Sequence, residues 1–223
     1  MSSGSRMGVL RASLVLGLGL AVGCTAPGTT ADEKKPDAQL QQFVLDRLPK
    51  TVTHETYLDF GGKVQLLGYD ISPAEVAAPG SKISLTLYWQ RTGRLDEGWK
   101  LFTHLLDAQG RQIGQFDQSG PLRAGANDNT QALGPSAWQV GKIYVDKIEL
   151  EVPRRISQGD KQVALRTGTV TVAVGVWKEA ARLDVLGGNS DERRRGFVTS
   201  LSTGLSRGAL LPKKKDDQKE SDG

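Results

Sequence analysis

The chain has 223 residues, with 29 Lys and Arg against 25 Asp and Glu, a formal net charge of +4, and one cysteine. This length suits a single domain of about 150 residues with appendages, and one Cys excludes an intramolecular disulfide. Two of the cations, Arg6 and Arg11, fall in an N-terminal targeting segment; the remaining 27 basic against 25 acidic residues, with no basic stripe, argue against nucleic-acid binding.

Residues 1–23 read as a signal peptide. The two arginines precede an apolar run, Ala12–Val22, that is too short for a bilayer core needing about 20 residues. Translation from Met7 would keep only Arg11 ahead of that run. The run ends Leu20-Ala21-Val22-Gly23-Cys24, which resembles the bacterial lipobox, where a Cys after small residues becomes the lipidated first residue of the mature protein. Ala21 stands where that pattern usually has Leu. The resemblance implies lipidation of Cys24 and a membrane anchor of more than one acyl chain, as stable anchoring requires. Thr25 after the Cys, with no Asp retention signal, points to the outer rather than the inner membrane of the cell envelope. The competing reading is a secretory signal cleaved nearby, with Cys24 incidental. Residues 24–37 then form a polar, flexible tether.

Residues 38–49 predict a short helix, with Leu40, Phe43, Val44 and Leu48 on one side, Asp37 as N-cap and Pro49 as the stop. Three turns are marginal alone, so this helix must pack on the domain. From residue 50 to 205 the period is two. An edge strand is expected over Thr51–Leu58, then a turn at Phe60-Gly61-Gly62 and a strand over Lys63–Ile71 with a bulge or a close backbone approach at Gly68. Pro79-Gly80 feeds Lys82–Gln90, where Ile83, Leu85, Leu87 and Trp89 alternate with polar residues. Trp99–Asp107 carries bulky groups on both faces and reads as a strand covered on both sides; Ala108-Gln109-Gly110 turns it back. Gln118–Ala137 is the longest irregular segment, a length that is often functional. Lys142–Val152 alternates again, Arg154–Gln162 reads as a polar loop, and Val170, Val172, Val174 and Val176 share one face opposite Trp177. Short strands at Arg182–Leu186 and Gly196–Leu201 close the domain, and residues 206–223 form a charged, disordered tail. About eight or nine strands with turns between them specify an all-β antiparallel sandwich, immunoglobulin-like or jelly roll.

Chemistry-bearing patterns are sparse. His54 and His104 have no Cys to complete a typical zinc set, so no metal is expected. His104, inside a strand, reads as structural. No Gly-x-Ser-x-Gly elbow or phosphate loop occurs, and adjacent carboxylates such as Asp96-Glu97 lie in loops; an enzyme and a cofactor are therefore not expected. Asn127-Asp128-Asn129, with Asp117 upstream, places oxygen ligands in the long loop. They lack the glycine and terminal Glu of a calcium loop, and turn formation is the favoured reading. Trp99, Trp138 and Trp177 would stack on sugar rings if exposed, or fill the core if not.

Five segments stand in order: VQLLGYD at 64–70, PGSKISLTLYWQ at 79–90, FTHLLD at 102–107, WQVGKIYVDKIELEVP at 138–153 and GTVTVAVGVWKEAARLDV at 168–185. As a set they resemble a bacterial β-sandwich module that follows membrane-embedded glycosyltransferase-like proteins and also occurs in secreted proteins. The resemblance covers roughly residues 57–204 and implies a sandwich with no catalytic residues to carry over. The long Gln118–Ala137 loop and the Asp191–Arg195 run depart from that pattern. Together these readings predict a membrane-anchored, non-catalytic envelope lipoprotein whose sandwich binds a glycan. The alternative is a scaffold docking on a protein partner through the long loop, Arg193–Arg195 and the N-terminal helix.

Overall fold

Alternation decides which face of each strand turns inward. The computed structural model, which describes residues 37–125, 130–165 and 168–204, carries that rule into two sheets. Its strands are β1 (Val44–Leu45), β2 (His54–Phe60), β3 (Val64–Ser72), β4 (Lys82–Arg91), β5 (Lys100–Leu106), β6 (Gln112–Gln115), β7 (Ile143–Glu151), β8 (Arg155–Gln158), β9 (Lys161–Ala164), β10 (Thr169–Lys178), β11 (Ala181–Arg182), β12 (Val185–Gly187) and β13 (Gly196–Ser202). The first sheet runs β1-β7-β4-β3-β2-β12; the second runs β11-β10-β5-β6, with β13 also on β10. Every strand pair is antiparallel. Following the chain, β3 and β4 lie in one sheet, β5 and β6 in the other, β7 returns beside β4, and β10 and β13 cross again. That is the connectivity of an immunoglobulin-like sandwich rather than a jelly roll, with β2 added outside β3.

Ile83, Leu85, Leu87 and Trp89 of β4 and the four valines of β10 are all fully buried and belong to one core that spans both sheets. Burying each such aliphatic side chain contributes about 1.5–3 kcal/mol. All seven residues of β5 are buried, as its bulk on both faces implied. The β3–β4 register shifts between Leu66 and Gly68. A methyl group at Gly68 would lie 2.7 Å from Val52 Cγ1 and 3.0 Å from the His54 carbonyl, so the bulge also lets another segment approach.

The structure alters four of the sequence expectations. The helix is present but spans only Ala38–Gln41, with Asp37 accepting a hydrogen bond from the Gln39 N–H (3.2 Å). Beyond it the chain extends, because Val44 and Leu45 pair with Tyr144 and Ile143 at the edge of β7. Phe43, Leu45, Leu48 and Val52 then cover Tyr88, Ile143 and Val145 on the outer face of the first sheet. Ladder bonds plus that burial outweigh an isolated helix of three turns. Second, β2 is flanked by β3 and β12, so it is not an edge strand. Third, Arg154–Gln162 contributes a hairpin, β8–β9. Fourth, Arg182–Leu186 divides between the sheets, Arg182 pairing with Trp177 and Val185 with Phe60. The signal segment, Cys24, the tether before residue 37 and the 206–223 tail lie outside the described residues.

Candidate functional site

The long irregular segment is built into the core. Leu122 and Arg123 are fully buried and Leu133 nearly so. Arg123 Nε and Nη2 donate to Asp146 Oδ2 at 3.0 and 2.7 Å, and Trp89 Nε1 donates to the same oxygen at 3.3 Å. Gln131 stands in for a strand: its Oε1 accepts from the Leu101 N–H (2.9 Å) and its Nε2 donates to the Leu101 carbonyl (2.8 Å). These contacts make the described parts of 118–137 a structural plug. Asn127, Asp128 and Asn129 lie outside the described residues.

Of the three candidate tryptophans, Trp138 is a core residue. It is fully buried, its ring stacks on Tyr144 (centroids 4.5 Å apart), and its Nε1 donates to the Leu133 carbonyl. Trp99 is half-buried against the core, with Nε1 donating to Asp96. Only Trp177 stands on the outer face of the second sheet, so the structure does not gather the three. Burial of Trp138 removes it as a stacking platform, because its ring has no free face to offer.

The outer face around Trp177 is where polar groups converge. Strand register sets Arg182, Trp177 and Lys100 side by side on three adjacent strands. One step along, Gly175 pairs with Phe102. A methyl group at position 175 would run into the Phe102 ring, so the missing side chain lets that ring lie across β10. Cations rest on both rings: Lys100 Nζ is 4.0 Å from the Trp177 centroid, and the Arg182 guanidinium is 4.7 Å from that of Phe102. Phe102 stacks in turn on His104 (4.7 Å).

His104 is nearly fully buried, with Nε2 3.5 Å from Asp117 Oδ1. Asp117 also accepts from Gln115 Nε2 (2.6 Å) and from the Thr103 N–H (3.1 Å). Burial pushes the Asp117 carboxyl up, but the donors His104, Gln115 and Thr103 outweigh it and hold the group below its ordinary value. With Nε2 facing the carboxylate, Nδ1 is the ring nitrogen that this pairing leaves over. Among the described residues Nδ1 is buried with no hydrogen-bond partner, and so is the Trp177 Nε1–H. Each such orphan costs about 1–3 kcal/mol. The structural role expected for His104 is thus filled at one nitrogen only.

Phe102, His104, Gln112, Gln115, Asp117, Trp177 and Arg182 line a recess of about 180 Å³ here. That is below the roughly 300–1,000 Å³ of sites enclosing whole drug-sized ligands, so it fits one ring. A larger recess, about 460 Å³, opens between the β8–β9 hairpin and the β5–β6 turn. Its charged groups, Arg111 and Asp107, already pair with each other at 2.7 Å. The smaller recess therefore holds the unpartnered chemistry. Among the described residues no three His, Cys, Asp or Glu side chains converge as a metal site.

Alternation placed Trp177 on this face. His104 and Asp117 meet through the β5–β6 hairpin, and Arg182 arrives on a strand of two residues, so neither was marked by a local pattern. No protein-family model matches the chain, and none of the curated proteins is significantly similar to it.

Proposed function

We propose that this protein is a lipid-anchored, non-catalytic binding module of the cell envelope, and that the recess on the outer face of the β11-β10-β5-β6 sheet takes one sugar ring of an envelope glycan. The observation that carries this reading is the pairing of aromatic walls with unpartnered polar atoms. A sugar presents apolar C–H faces and hydroxyls that both donate and accept; Phe102 and Trp177 suit the former, His104 Nδ1 and Trp177 Nε1 the latter. Lys100 already occupies a face of Trp177, so the ring is held by its edges rather than stacked on that face. The lipobox-like sequence at Cys24 and the five ordered segments support the envelope setting.

Tryptophan fluorescence of the full chain, titrated with a panel of cell-wall and capsular polysaccharides, tests the site. A saturable change is expected with one class, and Trp177→Phe, which keeps an apolar ring and removes the N–H, should abolish it. A flat response across the panel overturns the glycan reading. Anchoring is tested separately: labelled fatty acid should enter the wild-type chain and not Cys24→Ser.

A further inference from the structure

The cations around the second sheet fall into two sets. Arg111, Lys178, Arg194 and Arg195 each have a carboxylate partner: Asp107, Asp96, Asp184 and Asp191, at 2.7, 2.5, 2.6 and 2.5 Å. Lys100 and Arg182 have none within 4 Å among the described residues, although they flank Trp177 in one row. Lys100 is only 9% exposed, and its ammonium rests on an indole ring. Arg182 places Nη1 on the Arg193 carbonyl (2.8 Å) and the rest of its guanidinium over Phe102. Its pKa is drawn down, first by burial and then by the facing charge of Arg195; Asp191 and Asp117 oppose this at longer range. The one carboxylate lining the recess, Asp117, is already engaged by Gln115, Thr103 and His104.

A cation held against an aromatic ring and partly desolvated has lost water without gaining a counter-ion. Arg182 lines the recess, and Lys100 stands in the same row on the other side of Trp177, which is itself a wall of the recess. From this juxtaposition we infer that the ligand of the recess is an anionic sugar, whose carboxylate or phosphate lies between Lys100 and Arg182 while its ring enters beside Phe102 and His104. The inference rests on the glycan reading above and narrows it to a charged class. Carboxylates and phosphates both match the planar guanidinium fork. Arg182 and Lys100 would then be specificity residues, and the His104–Asp117 side would read the uncharged edge of the ring.

The test is calorimetric titration of the purified full chain with three oligosaccharides of equal length: oligogalacturonate, its neutral oligogalactose counterpart, and phosphorylated oligogalactose. At least one anionic oligomer is expected to bind about tenfold or more tightly than the neutral one, the scale of a charge-assisted hydrogen bond. Added salt should erase that preference, and whichever anion binds more tightly identifies the source of the charge. Lys100→Met and Arg182→Gln should each lower the anionic-over-neutral preference by about tenfold. Lys100→Arg and Arg182→Lys, which keep the charge, should retain the preference and stand in if a neutral variant fails to fold. Equal binding of neutral and anionic oligomers, lost in Trp177→Phe, overturns this inference and leaves the glycan reading standing. So does an anionic preference that survives both neutral substitutions. Absence of binding by all three overturns the anionic assignment, while the polysaccharide panel decides the broader reading.

Discussion

Replacing Arg123 by Met tests whether the long loop is a structural plug. Both Arg123 and Asp146 have fully buried side chains, and two of the three hydrogen bonds to Asp146 Oδ2 come from Arg123. Among the described residues Asp146 Oδ1 already lacks a hydrogen-bond partner. Without the guanidinium, the carboxylate keeps only Trp89 Nε1 at 3.3 Å while remaining in the core. Breaking a buried pair from one side costs about 3–5 kcal/mol, a large share of the roughly 5–15 kcal/mol that holds a domain folded. For a domain of this size the melting temperature should fall by roughly 6–20 °C. Urea unfolding followed by tryptophan fluorescence reads the change, and limited proteolysis should cut within residues 118–137 more readily. The double variant Arg123→Met, Asp146→Leu should recover most of the loss, since apolar replacement of both members is often neutral. A single-variant loss below about 1 kcal/mol, the scale of an exposed pair, or a double variant no more stable than the single, would refute the burial argument.

Gly175→Ala should cost about 1–3 kcal/mol, the range for overpacking, because the added methyl displaces the Phe102 ring that Arg182 covers; thermal melting reads it. Gln131→Ala strips partners from both backbone groups of Leu101 and should cost about 1–3 kcal/mol in urea unfolding. At high pH the key group is Tyr88, whose hydroxyl is pushed up to about 12, first by burial and then by its hydrogen bond to Asp70. Its ordinary value is 10.0, so only the unfolded chain ionises between these limits. Stability should hold below pH 10 and fall as pH rises toward 12, and Tyr88→Phe should flatten that fall. On the acid side Asp117, held below its ordinary 3.8, contributes stability above that value that is lost as pH drops below it; Asp117→Asn should reduce the loss in an acid titration.

Strands with one buried face were legible because alternation records burial directly: Ile83 to Trp89 and Val170 to Val176 stand where period two placed them. The Gly68 bulge was legible for a related reason, since a side chain there would collide with Val52. The segment after Gln41 was ambiguous. Leu40, Phe43 and Val44 satisfy a helical stripe, and only the free edge of β7, far off in sequence, makes extension the better solution. The β8–β9 hairpin has only Ile156 and Val163 as an apolar pair, too few to show a period, although Gly159-Asp160 is a hairpin turn signal. Arg123 was invisible, because an arginine among Gly, Pro and Asp residues reads as solvated until a buried Asp146 appears opposite it. At the recess, Trp177 followed from alternation, whereas Lys100, Arg182 and the His104–Asp117 pair needed the register of four strands.

The two residues of β1 and the hydroxyl of Ser119 have a colloidal consequence. The outer edge of β7 would otherwise present open ladder groups along nine residues. Val44 and Leu45 pair with its first residues, and farther along Ser119 Oγ donates to the Glu149 carbonyl (3.1 Å) and accepts from the Glu149 N–H (3.3 Å). The lipid tether proposed here would confine many copies to a plane, where neighbouring sheets meet edge to edge far more often than in free solution. An edge already occupied by the chain's own residues leaves little for a neighbour to extend, so crowding on a surface does not offer β7 as a template for edge-to-edge pairing.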